Sequence, residues 1–353
     1  MSNLHGFINR LWYNPSRLQR CLSLLMLPLA WLLQRLASRA RTRQLRQLQA
    51  LPLPVIVVGN INIGGTGKTP LIIALAQFLR VQGYRPGVVS RGYGGHSNTY
   101  PLLLNQHTPV ATSGDEPAFI FQALNKCAGG GAEAGDGGVA VCVDPDRTAA
   151  ARHLHTQGCN VILSDDGLQH YKLSRDIELV VVDAARQFGN GRTLPAGPLR
   201  EPVSRLQTVD AVITNGYCEA VFHASQYEMR LEPLYWVALA PSGGRVPLSE
   251  LFLHGSVQAI SGIGNPQRFF DTLRCLNIVA QTQAFADHYD FGPEDLRVFS
   301  GQVLLMTAKD AIKCHRYIET LDTSRWYYLE VEAILPEAFF DKITERLQML
   351  VVR

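Results

Sequence analysis

VVGNINIGGTGKTP, residues Val57 to Pro70, decides how the chain is read. The apolar run VIVVGN (Val55 to Asn60) stops at a glycine-rich turn ending in Gly67, Lys68 and Thr69. LIIALAQFLRVQGY (Leu71 to Tyr84) comes next, with helical periodicity and a glycine near its end. Strand, glycine turn and helix together form a cradle for nucleotide phosphates. Backbone N–H groups approach the oxygens where side chains are missing, and the helix N-terminus favours negative charge. The expected cradle is Asn62, Ile63, Gly64, Gly65, Thr66 and Gly67. Lys68 is expected to reach the β- and γ-phosphates of ATP, and the Thr69 hydroxyl to ligate Mg2+. The standard pattern places glycine six residues before the lysine, where this chain has Asn62. Gly64 and Gly65 are expected to supply the missing freedom.

Working outward, GVVSRGY (Gly87 to Tyr93), VAVCV (Val139 to Val143), VILS (Val161 to Ser164), LVVVD (Leu179 to Asp183) and AVIT (Ala211 to Thr214) are short apolar runs. Helical or loop segments separate most of them. That alternation predicts an α/β fold with a parallel sheet covered on both faces, of P-loop NTPase type, over residues 51–225. YEMRLEPLYWVAL (Tyr227 to Leu239) reads as an extended bridge into a second, smaller α/β domain, 226–353. There VQAISGIG leads into a helix from Pro266, VLLMT (Val303 to Thr307) into helical AKDAIKC, and WYYLEVEAIL into a closing helix near Pro336 to Leu350. AGGGAEAGDGG (Ala128 to Gly138) is low in complexity and reads as a flexible surface loop.

The net charge of +3 conceals an asymmetry. No acidic residue precedes Asp115, while twelve Lys and Arg do, so the remainder carries net −9. A basic leading segment favours an anionic partner. The seven cysteines are scattered, with no C-x-x-C pair. That argues against a disulfide framework or structural zinc and for reduced cytosolic thiols.

Within residues 1–50, CLSLLMLPLAWLL (Cys21 to Leu33) is nearly all apolar but shorter than the roughly twenty residues of a spanning helix. Arginines flank it on both sides, Trp12, Tyr13 and Trp31 suit a head-group boundary, and Pro28 should kink or divide the helix. The pattern predicts a peripheral or monotopic helix on an anionic membrane surface. A signal peptide and a buried helix hairpin remain alternatives. The apolar run inside the basic leader, and the lack of a basic and aromatic pattern elsewhere, argue against a nucleic-acid partner.

VILSDDGLQH (Val161 to His170) is a strand that breaks into Asp165 and Asp166. Aspartates at the end of a neighbouring strand hold magnesium in P-loop folds; an ordinary Asp-Asp-Gly turn is the alternative. In SGDEP (Ser113 to Pro117), Asp115 and Glu116 offer a general base or simply cap a helix beginning at Pro117. Arg147 of DPDR either reaches the active face or is solvated. His288 in FADHYDF, read alone, is better explained by structure than by catalysis.

GGTGKTP, SRGYGG, SGDEP, DDGLQH, LPAGPLREP, DHY and TAKDAIK occur in this order between Gly64 and Lys313. The series resembles the tetraacyldisaccharide 4′-kinases, which phosphorylate the lipid A precursor on the inner membrane of Gram-negative bacteria. The resemblance implies an acylated disaccharide acceptor, the 4′-hydroxyl as target, lipid IVA as product, and action as a monomer at the cytoplasmic face. It implies that Asp115 activates the sugar hydroxyl, that His288 pairs with it from the second domain, and that Lys68 and Thr69 serve ATP and magnesium. Glu116, Asp165, Asp166, Gln169 and His170 match polar positions around metal and nucleotide. Arg91, Tyr93, Arg147, Arg200 and Glu201 match the cleft lining. The family reads T-E-K-D where this chain has Thr307, Ala308, Lys309 and Asp310, which leaves no acid at Ala308. A membrane-associated ATPase without a phosphorylated product is the competing reading.

Overall fold

The computed structural model describes residues 2–125, 138–240, 244–251 and 255–351. The predicted glycine-rich loop at 128–138 lies, but for Gly138, outside the described residues, as does Cys127. In chain order the strands are β1 (Val55–Gly59), β2 (Pro86–Ser90), β3 (Leu102–Leu103), β4 (Ala140–Val143), β5 (Val161–Asp165), β6 (Ile177–Asp183), β7 (Ala211–Asn215), β8 (Gln226–Ala238), β9 (Arg245–Pro247), β10 (Val257–Ser261), β11 (Gln281–Ala284), β12 (Val303–Thr307) and β13 (Trp326–Ile334). The helices are α1 (Ser2–Tyr13), α2 (Arg17–Leu25), α3 (Leu27–Leu45), α4 (Lys68–Val81), α5 (Val110–Ser113), α6 (Asp115–Asn125), α7 (Arg147–Thr156), α8 (Pro266–Cys275), α9 (Pro293–Arg297), α10 (Ala308–Cys314) and α11 (Glu337–Val351).

The strands form one continuous α/β sheet in the order β11-β10-β12-β13-β8-β7-β6-β1-β5-β2-β4-β3, with β9 on β8. Pairing is parallel except at β3–β4, β8–β9 and β8–β13. Strands β1, β2, β5 and β7 are buried along their whole length, as sheets covered on both faces require. The extended bridge is β8. Its first residues pair parallel with β7, and from Arg230 onward it pairs antiparallel with β13. Two half-sheets therefore share one strand.

Because β13 runs back along β8, it returns the chain to the first half. There Phe339, Ile343 and Leu347 of α11 join the core built from Ile56, Leu71 and Leu75. The Phe340 ring lies 4.5 Å from Phe78 of α4. The last helix thus joins the core of the first half, where Tyr227 at the start of β8 also meets the Phe339 ring at 5.5 Å, so the boundary read from the sequence does not separate it from that half.

Pro28 divides the leading helix. It sits in the first turn of α3, where its missing N–H costs nothing, and α2 and α3 meet at a 47° bend. One side of this helical segment docks on the body. Trp12 Nε1 donates to the Pro195 carbonyl at 3.3 Å, and Ser23 Oγ donates to the Ala196 carbonyl at 2.5 Å. Arg41 lies over the Tyr171 ring. The other side is open: Leu18, Leu25 and Trp31 are 81%, 78% and 56% exposed. A buried hairpin is therefore not what forms. Among the described residues no single helix is long and apolar enough to cross a membrane.

Candidate active site

The loop between β1 and α4 is held from three sides. Asn60 Nδ2 donates to the Gly64 carbonyl at 3.1 Å, Asn215 Nδ2 to the Thr66 carbonyl at 2.9 Å, and Arg186 Nη2 to the Gly65 carbonyl at 2.6 Å. Gly64 and Gly67 have φ of +96° and +101°, the left-handed region that favours glycine. A Cβ on Gly67 would also run into the Asn215 amide. The freedom expected of Gly64 and Gly65 thus falls to Gly64 and Gly67. Gly65 instead lies against the 262–265 loop, where a Cβ on Gly264 would run into the Gly65 backbone.

Gly65 to Pro70 line a cavity of about 540 Å3, together with Glu116, Asn215, Arg268 and Lys309. Asn62 and Ile63 are turned to another task. Asn62 Nδ2 donates to the Gln187 carbonyl at 2.7 Å, and Ile63 N–H to the Pro198 carbonyl at 2.9 Å. Their donors anchor the loop to residues 187–198, so the open part of the cradle begins after them.

Lys68 opens α4 and is buried, its Nζ 3.4 Å from Asp166 Oδ1. Arg200 Nη1 holds the same carboxylate at 3.0 and 3.1 Å. Burial pushes Asp166 up, but Lys68 and then Arg200 outweigh it and hold the carboxyl well below the usual range. Asp165 differs. It ends β5 almost fully buried, Oδ2 accepts only a long hydrogen bond from Ser90 at 3.4 Å, and Oδ1 has no partner. Burial, then the charge of Glu116, push Asp165 up to about 7. A buried carboxylate this poorly compensated fits a cation. No cluster of three or more His, Cys, Asp or Glu able to hold a metal exists among the described residues. Mg2+ takes one or two carboxylates and completes its shell with water and phosphate oxygens.

Asp115 and Glu116 open α6, two residues earlier than the sequence suggested. Asp115 Oδ1 accepts the Glu116 backbone N–H at 3.0 Å, so it does serve the helix start. It also meets His288, whose Nδ1 lies 3.0 Å from Oδ2. Burial pushes the Asp115 carboxyl up, but the His288 hydrogen bond and the charge of Lys309 bring it down to about 2. The Asp115 bond in turn raises His288, against burial and Lys309. His288 sits at φ +58°, a conformation rare outside glycine, with the Tyr93 ring edge-on at 5.3 Å. Lys309 Nζ donates to Glu116 Oε1 at 2.9 Å.

The remaining expected residues surround these groups. Arg147 starts α7 behind the Asp146 cap and is buried, not solvated, with its Nε unpartnered. Burial pushes its guanidinium down, against the pull of Asp166 and Asp165. His170 Nε2 is likewise buried without a partner, and burial and then Arg147 push that ring down to about 4. Glu201 is engaged by Tyr171 OH at 2.6 Å and Gln169 Nε2 at 2.8 Å, which makes it a brace. Gln169 also donates to the Asn60 carbonyl at 3.1 Å, tying the acidic turn to the loop. Arg91, just past the end of β2, is exposed.

The sequence reading missed Lys309, Arg186, Asn215 and Arg268. Lys309 was legible as part of TAKDAIK, but nothing local marked it. Arg186 bridges the Gly65 and Gly264 carbonyls and pairs with Asp183 at 3.3 Å, a role that exists only after folding.

Residues 22–348 match the family model described as tetraacyldisaccharide-1-P 4′-kinase. The chain is 43% identical to a tetraacyldisaccharide 4′-kinase of Nitrosococcus oceani, covering 99% of this chain and 96% of that one. It is 45% identical to that of Stenotrophomonas maltophilia, over 96% of each. Among solved structures it is similar to LpxK from Aquifex aeolicus, crystallised in complex with ATP. That likeness has a TM-score of 0.69 at 26% identity and covers 92% of this chain and 99% of that one. The chain belongs to the tetraacyldisaccharide-1-P 4′-kinase family.

Proposed function

We propose that this protein transfers the γ-phosphate of ATP to the 4′-hydroxyl of a tetraacyldisaccharide 1-phosphate, giving lipid IVA in lipid A biosynthesis. The observation that carries the reading is that Glu116 lines one cavity with Lys68 and Lys309, while its neighbour Asp115 holds His288 and Lys309 reaches both Glu116 and His288. The cradle of Gly64 to Thr69 takes the phosphates. Lys68 leaves Asp166 for the β- and γ-phosphates, while Arg200 keeps Asp166 compensated. Asp165, Asp166 and Thr69 would hold Mg2+, which when bound neutralises charge on the phosphates.

Asp115 accepts the hydrogen of the acceptor hydroxyl. The hydroxyl oxygen forms its bond to the γ-phosphorus, the bond to the β–γ bridging oxygen breaks, ADP leaves, and the proton passes to Asp115. A carboxyl at about 2 is a weak base. In a loose transition state it acts mainly by orienting the hydroxyl. Arg147 and His170, buried with unpartnered nitrogens, are suited to an anionic or polyhydroxylated ligand in the cleft.

The exposed apolar side of α2 and α3, with arginines around it, suits a peripheral seat on an anionic membrane, at the cytoplasmic face where ATP is available. Residues 226–334 form the half that carries His288 and Lys309 to Asp115, and separation of the halves would open the site.

The test is incubation with γ-labelled ATP and tetraacyldisaccharide 1-phosphate. Label at the 4′-hydroxyl, with ADP released only when the lipid is present, supports the reading. ADP release that ignores the lipid would return the protein to the ATPase alternative.

A further inference from the structure

A neutral imidazole carries hydrogen on one ring nitrogen only, and His288 has a partner at each. Nδ1 faces Asp115 Oδ2 at 3.0 Å, and Nε2 faces the Lys309 ammonium at 3.3 Å. An ammonium can only donate. Nε2 must therefore accept, which puts the hydrogen on Nδ1, aimed at the carboxylate. Lys309 stays charged although it is buried, because burial is outweighed by Glu116 and then Asp115.

Around the pair stand Asp115 and Glu116 of α6, the latter 4.0 Å from Nε2, and Asp287 on the histidine's own loop at 3.8 Å. Lys309 and Lys313 come from α10, Lys313 lying 4.0 Å from Asp115, and the Tyr93 ring closes the remaining side. Of the two lysines, Lys309 is the one that reaches the ring.

We propose that Lys309 is a positioning residue of the catalytic pair: its ammonium locks His288 in the Nδ1–H form and opposes a second proton on the ring. Asp115 then faces a neutral imidazole when it takes the acceptor's proton. An imidazolium would lower the Asp115 carboxyl further, beyond what the Lys309 charge already does, so the neutral ring limits the loss of basicity. The proposal rests on the reading of Asp115 as the base.

The experiment uses full-length protein in detergent with nitrogen-labelled histidine, the His288 signals being identified by their loss in His288→Gln. The native ring should show a protonated Nδ1 and a bare Nε2 above neutral pH. Lys309→Met should shift hydrogen toward Nε2 and move the acid limb of kcat/KM to higher pH by about one unit. At neutral pH it should lower kcat/KM about tenfold. Lys309→Arg, which keeps a cationic donor, should hold the limb near its native position. A protonated Nε2 in the native neutral ring overturns the proposal. So does a Lys309→Met enzyme that loses rate with its acid limb unmoved, since a structural role predicts that. If Lys309→Met does not fold, the native tautomer and the Lys309→Arg profile still decide. Near-native kcat in Asp115→Asn overturns the base assignment itself, and this proposal with it, whatever the tautomer.

Discussion

His288 Nδ1 lies 3.0 Å from Asp115 Oδ2, although 173 positions separate them in the chain. One residue comes from the first turn of α6 and the other from a loop beyond β11, so the pair exists only while the two half-sheets face each other. A carboxylate and an imidazole in this contact should act as one unit. In a double-mutant cycle on kcat, Asp115→Ala and His288→Ala should each cost at least about a hundredfold. The double variant should lose little beyond the worse single one. Fully additive losses would count against coupling. A thermal defect at Asp115 with intact kcat would leave it a helix-start residue only.

The same contact predicts acid sensitivity. The Asp115 carboxyl is lowered to about 2, so its stabilising contribution is complete above about pH 4 and lost as pH falls through about 2. His288 is raised, so its contribution is complete below about pH 6.5 and fades as pH rises through its folded value. Both reflect one interaction and are not summed. Melting temperature against pH should fall less steeply between pH 4 and 2 in Asp115→Asn than in the native protein. Parallel curves would show that the pair adds nothing to acid stability.

The ion pair of Lys68 is with Asp166, which Arg200 also holds. Lys68→Ala should therefore leave a folded protein with a melting temperature within a few degrees of native, yet lower kcat by about a hundredfold or more. Near-native turnover by the folded variant would remove the phosphate-loop assignment.

Gly67 combines a positive φ with the Asn215 side chain in the space a Cβ would need. Gly67→Ala should cost about 1–2 kcal/mol of stability and weaken ATP binding, because the loop must shift at the first turn of α4. Gly83→Ala is the control, since its φ is also positive but nothing lies within 4 Å. If Gly67→Ala binds ATP no worse than Gly83→Ala, the loop tolerates the shift.

Deleting residues 1–50 would strip the helices from the loop that Trp12 and Ser23 hold. Exposed positions offer a cleaner probe. Leu18→Asp with Leu25→Asp, at sites 81% and 78% exposed, should move much of the protein into the soluble fraction and leave its melting temperature nearly unchanged. Sedimentation wholly with membranes at high salt would contradict the membrane seat.

The order of strands and helices is readable in the sequence because it rests on local rules. Apolar runs such as Val55 to Asn60 and Val161 to Ser164 are too short and too unbroken to be anything but buried strands between turns. Gly67, Lys68 and Thr69 announce their chemistry because consecutive residues build the cradle. Pro28 marks the division between α2 and α3 for the same reason. The ordered motifs carry the family.

Relationships created by the meeting of distant segments are not legible in this way. The return of α11 to the first half depends on the antiparallel pairing of β13 with β8, and no residue in Glu337 to Val351 encodes that direction. The task of Asn62 depends on residue 187, the grip of Arg186 on both Gly65 and Gly264, and the placement of Lys309 on His288 and Glu116. Sequence alone determines periodicity and local chemistry over a few residues. Which donor finds which acceptor across a hundred or more positions is decided when the sheet closes and each buried polar group must take whatever partner packing brings within reach.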